Sequence, residues 1–254
     1  MRSVPVLMYH HVLPKAGFIA SSVEQFESQM RYLAETGWKT LSSDEFHRYK
    51  CDRYAPPKRS LLITFDDGWK DNLVYAYPIL KRYGLKATLF VVTQWVDRAS
   101  ERPETFEPLA HSLCKQTVPR HPGKVLLTWN ELESIRDVFD IHSHTHTHRD
   151  GYFGHCDWDE DLALSRERLQ KRLGIDSTHL CWPRGRYDAS LMEKAAANGY
   201  NILYTTRRGI NVDDGNCREI RRLSAKKDDR WLKKNLEIFR RPLLGSLYAR
   251  IKPE

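Results

Sequence analysis

The feature that most constrains this chain is a regular alternation of short apolar runs with segments of helical period. Apolar runs of strand length occur at Val4 to Tyr9, Lys39 to Leu41, Leu61 to Phe65, Ala87 to Val92, Phe139 to Ile141, His179 to Trp182 and Asn201 to Tyr204. Between them Phe26, Met30 and Leu33 recur at helical spacing, and helices are predicted over 23–34, 72–83, 129–136, 158–173 and 189–198. Gly84 and Gly174 are placed to close two of these helices and Thr128 to N-cap a third. Strands that alternate with helices pair in parallel, because a parallel connection needs a crossover long enough to hold a helix. About seven such units predict an α/β fold, a single distorted (β/α)7 barrel. The barrel is expected over residues 1–225, with a long proline-bearing loop at 97–125 and a basic amphipathic tail at 226–254.

With 41% hydrophobic and 29% charged residues, the composition excludes global disorder. A net charge of +8 calls for an anionic partner such as nucleic acid, a phosphorylated ligand or a membrane surface. No basic motif with interleaved stacking aromatics stands out, so nucleic acid is not expected. Cys51, Cys114, Cys156, Cys181 and Cys217 are scattered, odd in number and never at C-x-x-C spacing. That pattern points to reduced thiols in a cytosol rather than a disulfide framework or a thiolate zinc site. The first apolar stretch is too short for a signal peptide, and no run approaches the ~18 apolar residues of a membrane span. A cytoplasmic location is expected, with any membrane contact peripheral and on the inner face. In the tail, Leu232, Leu236, Phe239, Leu243, Leu247 and Ile251 recur near helical spacing among many Lys and Arg. Such a segment packs its apolar stripe on the barrel, or lies on an anionic membrane where a lipid-linked glycan could be reached.

Two segments carry chemistry. In Leu61-Leu62-Ile63-Thr64-Phe65-Asp66-Asp67-Gly68 an apolar strand runs into adjacent carboxylates and a glycine. The C-terminal ends of parallel strands are where barrel active sites assemble, although an Asp there can also simply cap the next helix. In Asp140-Ile141-His142-Ser143-His144-Thr145-His146-Thr147-His148 four histidines alternate just after another strand. Imidazoles together with a carboxylate are a donor set for a catalytic divalent metal. An extended chain would put alternate histidines on one face, whereas a helical turn would pair His144 with His148.

Thr64-Phe65-Asp66-Asp67-Gly68 and Ser143-His144-Thr145-His146-Thr147-His148 together resemble the first two motifs of the polysaccharide deacetylase family, whose shared region is the NodB homology domain. The resemblance implies that Asp66 is the catalytic base and that Asp67, His144 and His148 bind a divalent metal, zinc first, with cobalt, nickel or manganese also compatible. His142 and His146 fall at variable positions of the motif. Leu180-Cys181-Trp182-Pro183-Arg184-Gly185-Arg186-Tyr187-Asp188 is similar to the third motif as it stands in the poly-N-acetylglucosamine deacetylase branch, and makes Trp182, Arg184, Arg186 and Tyr187 candidates for oxyanion and substrate binding. The family's oxyanion donor is the backbone N–H at the Arg184 position. Cys181 occupies the place of the arginine that holds the base in many members, leaving Arg184 and Arg186 as candidates to orient Asp66. Leu7-Met8-Tyr9-His10 looks like the L-x-x-H motif that supplies the catalytic acid, here at the N-terminus as though the barrel were circularly permuted. His11, on the opposite side of the strand, is expected to be structural or solvent-facing.

The expected activity is metal-dependent removal of N-acetyl groups from an N-acetylhexosamine in a glycan or glycolipid, such as a lipopolysaccharide or another lipid-linked envelope precursor, with release of acetate. In that reaction ionised Asp66 deprotonates water and His10, protonated at the start, donates to the leaving nitrogen. An amidase acting on a small non-sugar amide, or a non-catalytic carbohydrate- or metal-binding protein, is the rival expectation.

Overall fold

The computed structural model describes residues 2–252; Met1, Pro253 and Glu254, which the expected barrel and tail ranges include, lie outside the described residues. The first half runs β1 Val6–Tyr9, β2 His11–Leu13, β3 Ala20–Ser22, α1 Val23–Glu35, β4 Lys39–Thr40, α2 Ser43–Cys51, β5 Ser60–Phe65, α3 Tyr77–Arg82, β6 Ala87–Val91, α4 Thr93–Glu101 and α5 His111–Thr117. It continues with α6 Trp129–Ser134, β7 Phe139–Ser143, α7 Trp158–Leu173, β8 His179–Cys181, α8 Ala189–Ala197, β9 Ile202–Tyr204, β10 Leu223–Ser224, α9 Asp229–Phe239 and α10 Pro242–Ile251. Seven strands form one parallel sheet in the order β10-β1-β5-β6-β7-β8-β9, with β4 added on β5. With helices outside, this curled sheet is the distorted (β/α)7 barrel that the alternation predicts.

Period-2 alternation sorts the side chains into two layers. Leu7, Tyr9, Leu61, Ile63, Phe65, Leu89 and Val91 pack outward with Phe26, Met30 and Leu33 of α1. Val6, Leu62, Phe90, Cys181 and Tyr204 form the inner layer. The same alternation carries Thr64 and then Asp66 inward. Register does the rest: Tyr9 pairs with Phe65 and Val91 with Ser143, so His10, Asp66 and His144 emerge together at the C-terminal mouth.

Helix starts follow local chemistry. Ser22 with Gln25, Ser42 with Glu45 and Thr128 with Glu131 form capping boxes, and α7 ends on left-handed Gly174. The helix predicted over 72–83 divides into a π-helical turn at Asn72–Ala76 and α3. Pro78 has no N–H to continue a regular ladder, and the widened turn lets Asn72 Nδ2 reach the His10 carbonyl at 2.9 Å.

Three expectations change in detail. The 97–125 stretch contains the end of α4 and all of α5, and Cys114, Val118, Val125 and Leu126 pack with Trp69 and Trp95 over the barrel mouth. The tail is not one unit. Leu232, Leu236 and Phe239 of α9 belong to the main core, whereas Leu243, Leu247 and Ile251 of α10 are 90%, 56% and 67% exposed. Cys51 and Cys217, expected as free thiols, are joined as a disulfide. The 205–222 segment folds back past the end of α2, a meeting across 166 residues that scattered spacing cannot reveal.

Because α9 closes the core, Leu236→Ala is expected to cost about 2–5 kcal/mol in denaturant unfolding of the whole chain. A change within experimental error would show that α9 lies on the barrel without supporting it.

Candidate active site

Asp66 directly follows β5 and is buried, and Arg222 grips it. Nη1 donates to Oδ1 and Nη2 to Oδ2, each at 2.7 Å, while Nη1 also reaches Thr64 Oγ1 at 3.1 Å. Arg222 itself has no exposed surface. Burial works to raise the Asp66 pKa, but the Arg222 charge and hydrogen bonds outweigh it, with His144 and His10 adding, and the net pKa falls below the ordinary carboxylate value. Asp66 is therefore ionised at neutral pH. Arg222 fills the role for which Arg184 and Arg186 were the sequence candidates. It enters from the segment before β10 and passes 3.0 Å from the Sγ of Cys181, so small Cys181 leaves room for a guanidinium arriving from another strand. Burial pushes the Cys181 thiol up and keeps it protonated, 3.6 Å from Asp66 Oδ2.

Asp67 and Gly68 both adopt left-handed backbone conformations, with φ of 78° and 85°. A Cβ at Gly68 would meet Val91 at 3.2 Å, so the turn presses directly on β6. The reversal turns Asp67 toward the histidines, and Trp69 Nε1 fixes its Oδ2 at 2.8 Å.

The segment after β7 is neither extended nor helical; Thr145 and His148 have φ of 68° and 54°. Asp161 of α7 holds this turn through the N–H groups of His146 and Thr147, at 2.5 and 3.2 Å, and through the Thr147 hydroxyl. His144 and His148 thereby face Asp67. His142 instead bonds Ser177 and Ser43 and stacks on His179, and His146 bonds Thr93, so both serve the scaffold.

The hydrogen bonds define the donor set. His144 Nδ1 lies 2.7 Å from the Cys181 carbonyl oxygen, and His148 Nδ1 lies 2.6 Å from Asp150 Oδ2. Both partners accept, so each Nδ1 carries hydrogen and each neutral ring turns its Nε2 lone pair elsewhere. Elsewhere is Asp67 Oδ1, at 3.3 and 3.5 Å. Three convergent acceptors need a positive centre between them. Burial opposes charge on His144, but its contacts with Cys181, Asp67 and Asp66 raise its pKa well above the ordinary value, while burial holds His148 down to about 3. A divalent cation satisfies all three ligands at once, and the residues fit it. Asp66, His144 and Cys181 also cluster, but Arg222 occupies both oxygens of Asp66 and the thiol is protonated, which makes that set the poorer one.

A cavity of about 280 Å³ opens above these residues and is also lined by His10, His111 and Arg184. His10 Nε2 lies 3.8 Å from Asp66 Oδ2, and burial lowers its pKa against the pull of Asp66 and Asp67. Arg184 sits with φ of 56° in a tight turn, where a Cβ at the following Gly185 would strike Thr206 at 2.2 Å. Its guanidinium pairs with Asp150, which also orients His148. The other third-motif candidates are not brought to the cavity. Trp182 is buried with Tyr187 stacked on it, the Tyr187 hydroxyl bonds Glu219, and Arg186 is exposed. His11, expected on the surface or in a structural place, is completely buried against Asp71.

An ionised carboxylate beside a carboxylate–histidine donor set, at the C-terminal mouth of a curled parallel sheet, is the arrangement of a candidate hydrolase site. The polysaccharide deacetylase profile matches residues 53–203, and this chain belongs to that family. It is 46% identical over 211 residues to the poly-β-1,6-N-acetyl-D-glucosamine N-deacetylase of Staphylococcus aureus, covering 76% of this chain and 68% of that protein. Its fold matches Streptococcus pyogenes deacetylase PplD, solved in complex with acetate, with a TM-score of 0.75 at 24% identity over 94% of this chain and 99% of that one. IcaB from Ammonifex degensii matches with a TM-score of 0.72 at 21% identity, over 92% and 96% of the two chains.

Removing the Arg222 charge should raise the Asp66 pKa, so the acid limb of the kcat/KM profile of Arg222→Leu should move to higher pH. The ion pair stabilises the fold above the ordinary carboxylate range and is lost as pH falls through the depressed Asp66 value, so the variant should also lose about 3–5 kcal/mol at neutral pH. An acid limb that stays in place would show that Arg222 does not keep Asp66 ionised.

Proposed function

We propose that this protein removes acetyl groups from an N-acetylhexosamine-containing glycan and releases acetate, using a divalent cation held by Asp67, His144 and His148. The observation that carries the reading is an ionised, arginine-clamped Asp66 beside three convergent ligand atoms and within 3.8 Å of His10. Two nitrogens and one carboxylate oxygen suit zinc, and admit cobalt, nickel or manganese. When bound, the cation polarises the acetyl carbonyl and makes water more acidic.

The chain's own residues supply the proton traffic. Asp66 takes the proton of the attacking water on the oxygen facing His10, and Arg222 keeps its carboxylate from rotating. His10, whose pKa burial lowers, receives the proton that Asp66 takes from water and passes it to the departing sugar nitrogen, rather than holding one in advance. Asn72 anchors it through its carbonyl. This reading assigns the oxyanion donor to the backbone N–H of Arg184, in the left-handed turn that Gly185 continues. The substrate named for the S. aureus relative supports an N-acetylglucosamine polymer.

Asp66→Asn should retain metal and lose about a hundredfold or more in acetate release. His144→Ala should lose the metal itself. The assay uses N-acetylglucosamine oligomers and small non-sugar amides, with chelation and add-back; turnover confined to the small amides would replace the sugar reading with an amidase, and unaltered turnover in Asp66→Asn would remove Asp66 as base.

The glycolipid alternative and a peripheral place on the inner face of a membrane rest on α10, which exposes Leu243, Leu247 and Ile251 beside Arg241, Arg250 and Lys252. The Cys51–Cys217 disulfide removes the reduced-thiol argument for the cytosol at those two positions. Liposomes containing phosphatidylglycerol should float the native protein but not the Leu243→Asp/Leu247→Asp variant, and equal flotation would discard the membrane partner.

A further inference from the structure

The catalytic cavity does not end at His10. A second cavity of about 510 Å³ adjoins it, and His10, Phe18 and Ile19 line both. The reaction just described uses only the smaller one. Between β2 and β3 the chain makes a narrow turn, in which the Gly17 N–H donates to the Ala20 carbonyl at 2.9 Å, the Ala20 N–H to the Gly17 carbonyl at 3.4 Å, and the His11 N–H to the Ile19 carbonyl at 3.4 Å. Phe18 stands at the tip of this turn, 92% exposed. A single apolar side chain in water is ordinary, since much of any protein surface is apolar. What sets Phe18 apart is its place where two cavities meet.

The second cavity also holds a polar group whose orientation is fixed. Gln25, the third residue of α1, closes the capping box: the Ser22 N–H donates to its Oε1 at 3.0 Å, and the Gln25 N–H donates to Ser22 Oγ at 3.1 Å. A backbone N–H can only donate, so the amide oxygen of Gln25 faces Ser22 and the amide nitrogen is left over. Among the described residues Nε2 makes no hydrogen bond, and Gln25 lines the 510 Å³ cavity. A flat apolar ring and an amide donor on one cavity are complementary to a pyranose. The faces of such a sugar carry C–H groups that bury against an aromatic ring, while its edge carries oxygens that accept from N–H.

We infer that the cavity between the β2–β3 turn and the 224–227 segment binds the sugar next to the one being deacetylated, which stacks on Phe18 and accepts a hydrogen bond from Gln25 Nε2. The inference rests on the N-acetylated glycan reading above. The catalytic cavity, at about 280 Å³, lies at the lower edge of small-ligand sites and takes one ring. A glycan has to continue out of it, and the adjoining cavity offers a path past His10 and Phe18.

The experiment measures kcat/KM of the metal-loaded protein on N-acetylglucosamine and its oligomers, and on a small aryl acetate ester that carries no second ring. For the native protein kcat/KM should rise from one sugar ring to two. In Phe18→Ala the ratio of kcat/KM on the two-ring substrate to that on the ester should fall roughly three- to tenfold, the loss expected for one aromatic stack. Phe18→Trp should restore the ratio. Gln25→Glu, which keeps the capping box and removes the donor, should lower it roughly two- to tenfold. An unchanged ratio in Phe18→Ala or Gln25→Glu, a Phe18→Trp variant as poor as Phe18→Ala, or no native gain from the second ring overturns this subsite while the sugar reading stands. Native turnover restricted to small amides overturns the sugar reading and the subsite with it.

Discussion

The Arg222–Asp66 pair is the constraint around which the inner barrel is arranged. Two charges without solvent contact stand only if each is nearly saturated with partners, and both hydrogen bonds of the fork must be met together. Arg222 spends Nε on the Thr205 carbonyl at 2.7 Å and its remaining donors on Asp66, Thr64 and the Cys181 sulfur. That geometry requires the 205–222 segment to return across the open side of the sheet, where Ile220 bridges to Tyr204 before β10 joins β1. Closing the barrel and ionising Asp66 are therefore one structural event.

Around this pair the site is built by removing alternatives from flexible groups. Asp67 could turn either oxygen to the histidines, but Trp69 occupies one. His144 and His148 could each present either nitrogen, but the Cys181 carbonyl and Asp150 claim Nδ1. The left-handed residues Asp67, Thr145 and His148 hold conformations that cost free energy in an L-residue, each of order 1–3 kcal/mol, and persist because Asp161, Gly68 and the sheet register over-determine them. The donor set is preorganised by polar bonds rather than by packing alone.

How much of this was legible in the sequence follows from the range of the interactions. Strand and helix positions rest on local period, and the alternation around Ile63 or Phe65 shows it directly. Asp66, Asp67, His144 and His148 stand out because acids at a strand end and dense histidines are rare without a purpose. Arg222 does not stand out, being one of 41 Lys and Arg residues whose meaning is set by a contact across 156 positions. The Cys51–Cys217 pairing and the His11–His111 bond are hidden for the same reason. The π-helical turn was locally signalled by Pro78, yet its role in anchoring His10 depends on a tertiary contact.

The histidine-dense run shows why residue counting misleads at such sites. Its four rings share one sequence rhythm, but the rhythm ends at Ser143, where β7 stops and the chain turns. Before the turn, strand alternation sends His142 into a polar nest of Ser43, Ser177 and His179, where burial lowers its pKa to about 3 and keeps it neutral. After the turn, two backbone N–H groups bound by Asp161 set the spacing, so that three residues of chain bring His148 to the same carboxylate oxygen as His144 while His146 points back to Thr93. A residue with no histidine chemistry of its own, Asp161, thereby decides which two of the four face Asp67.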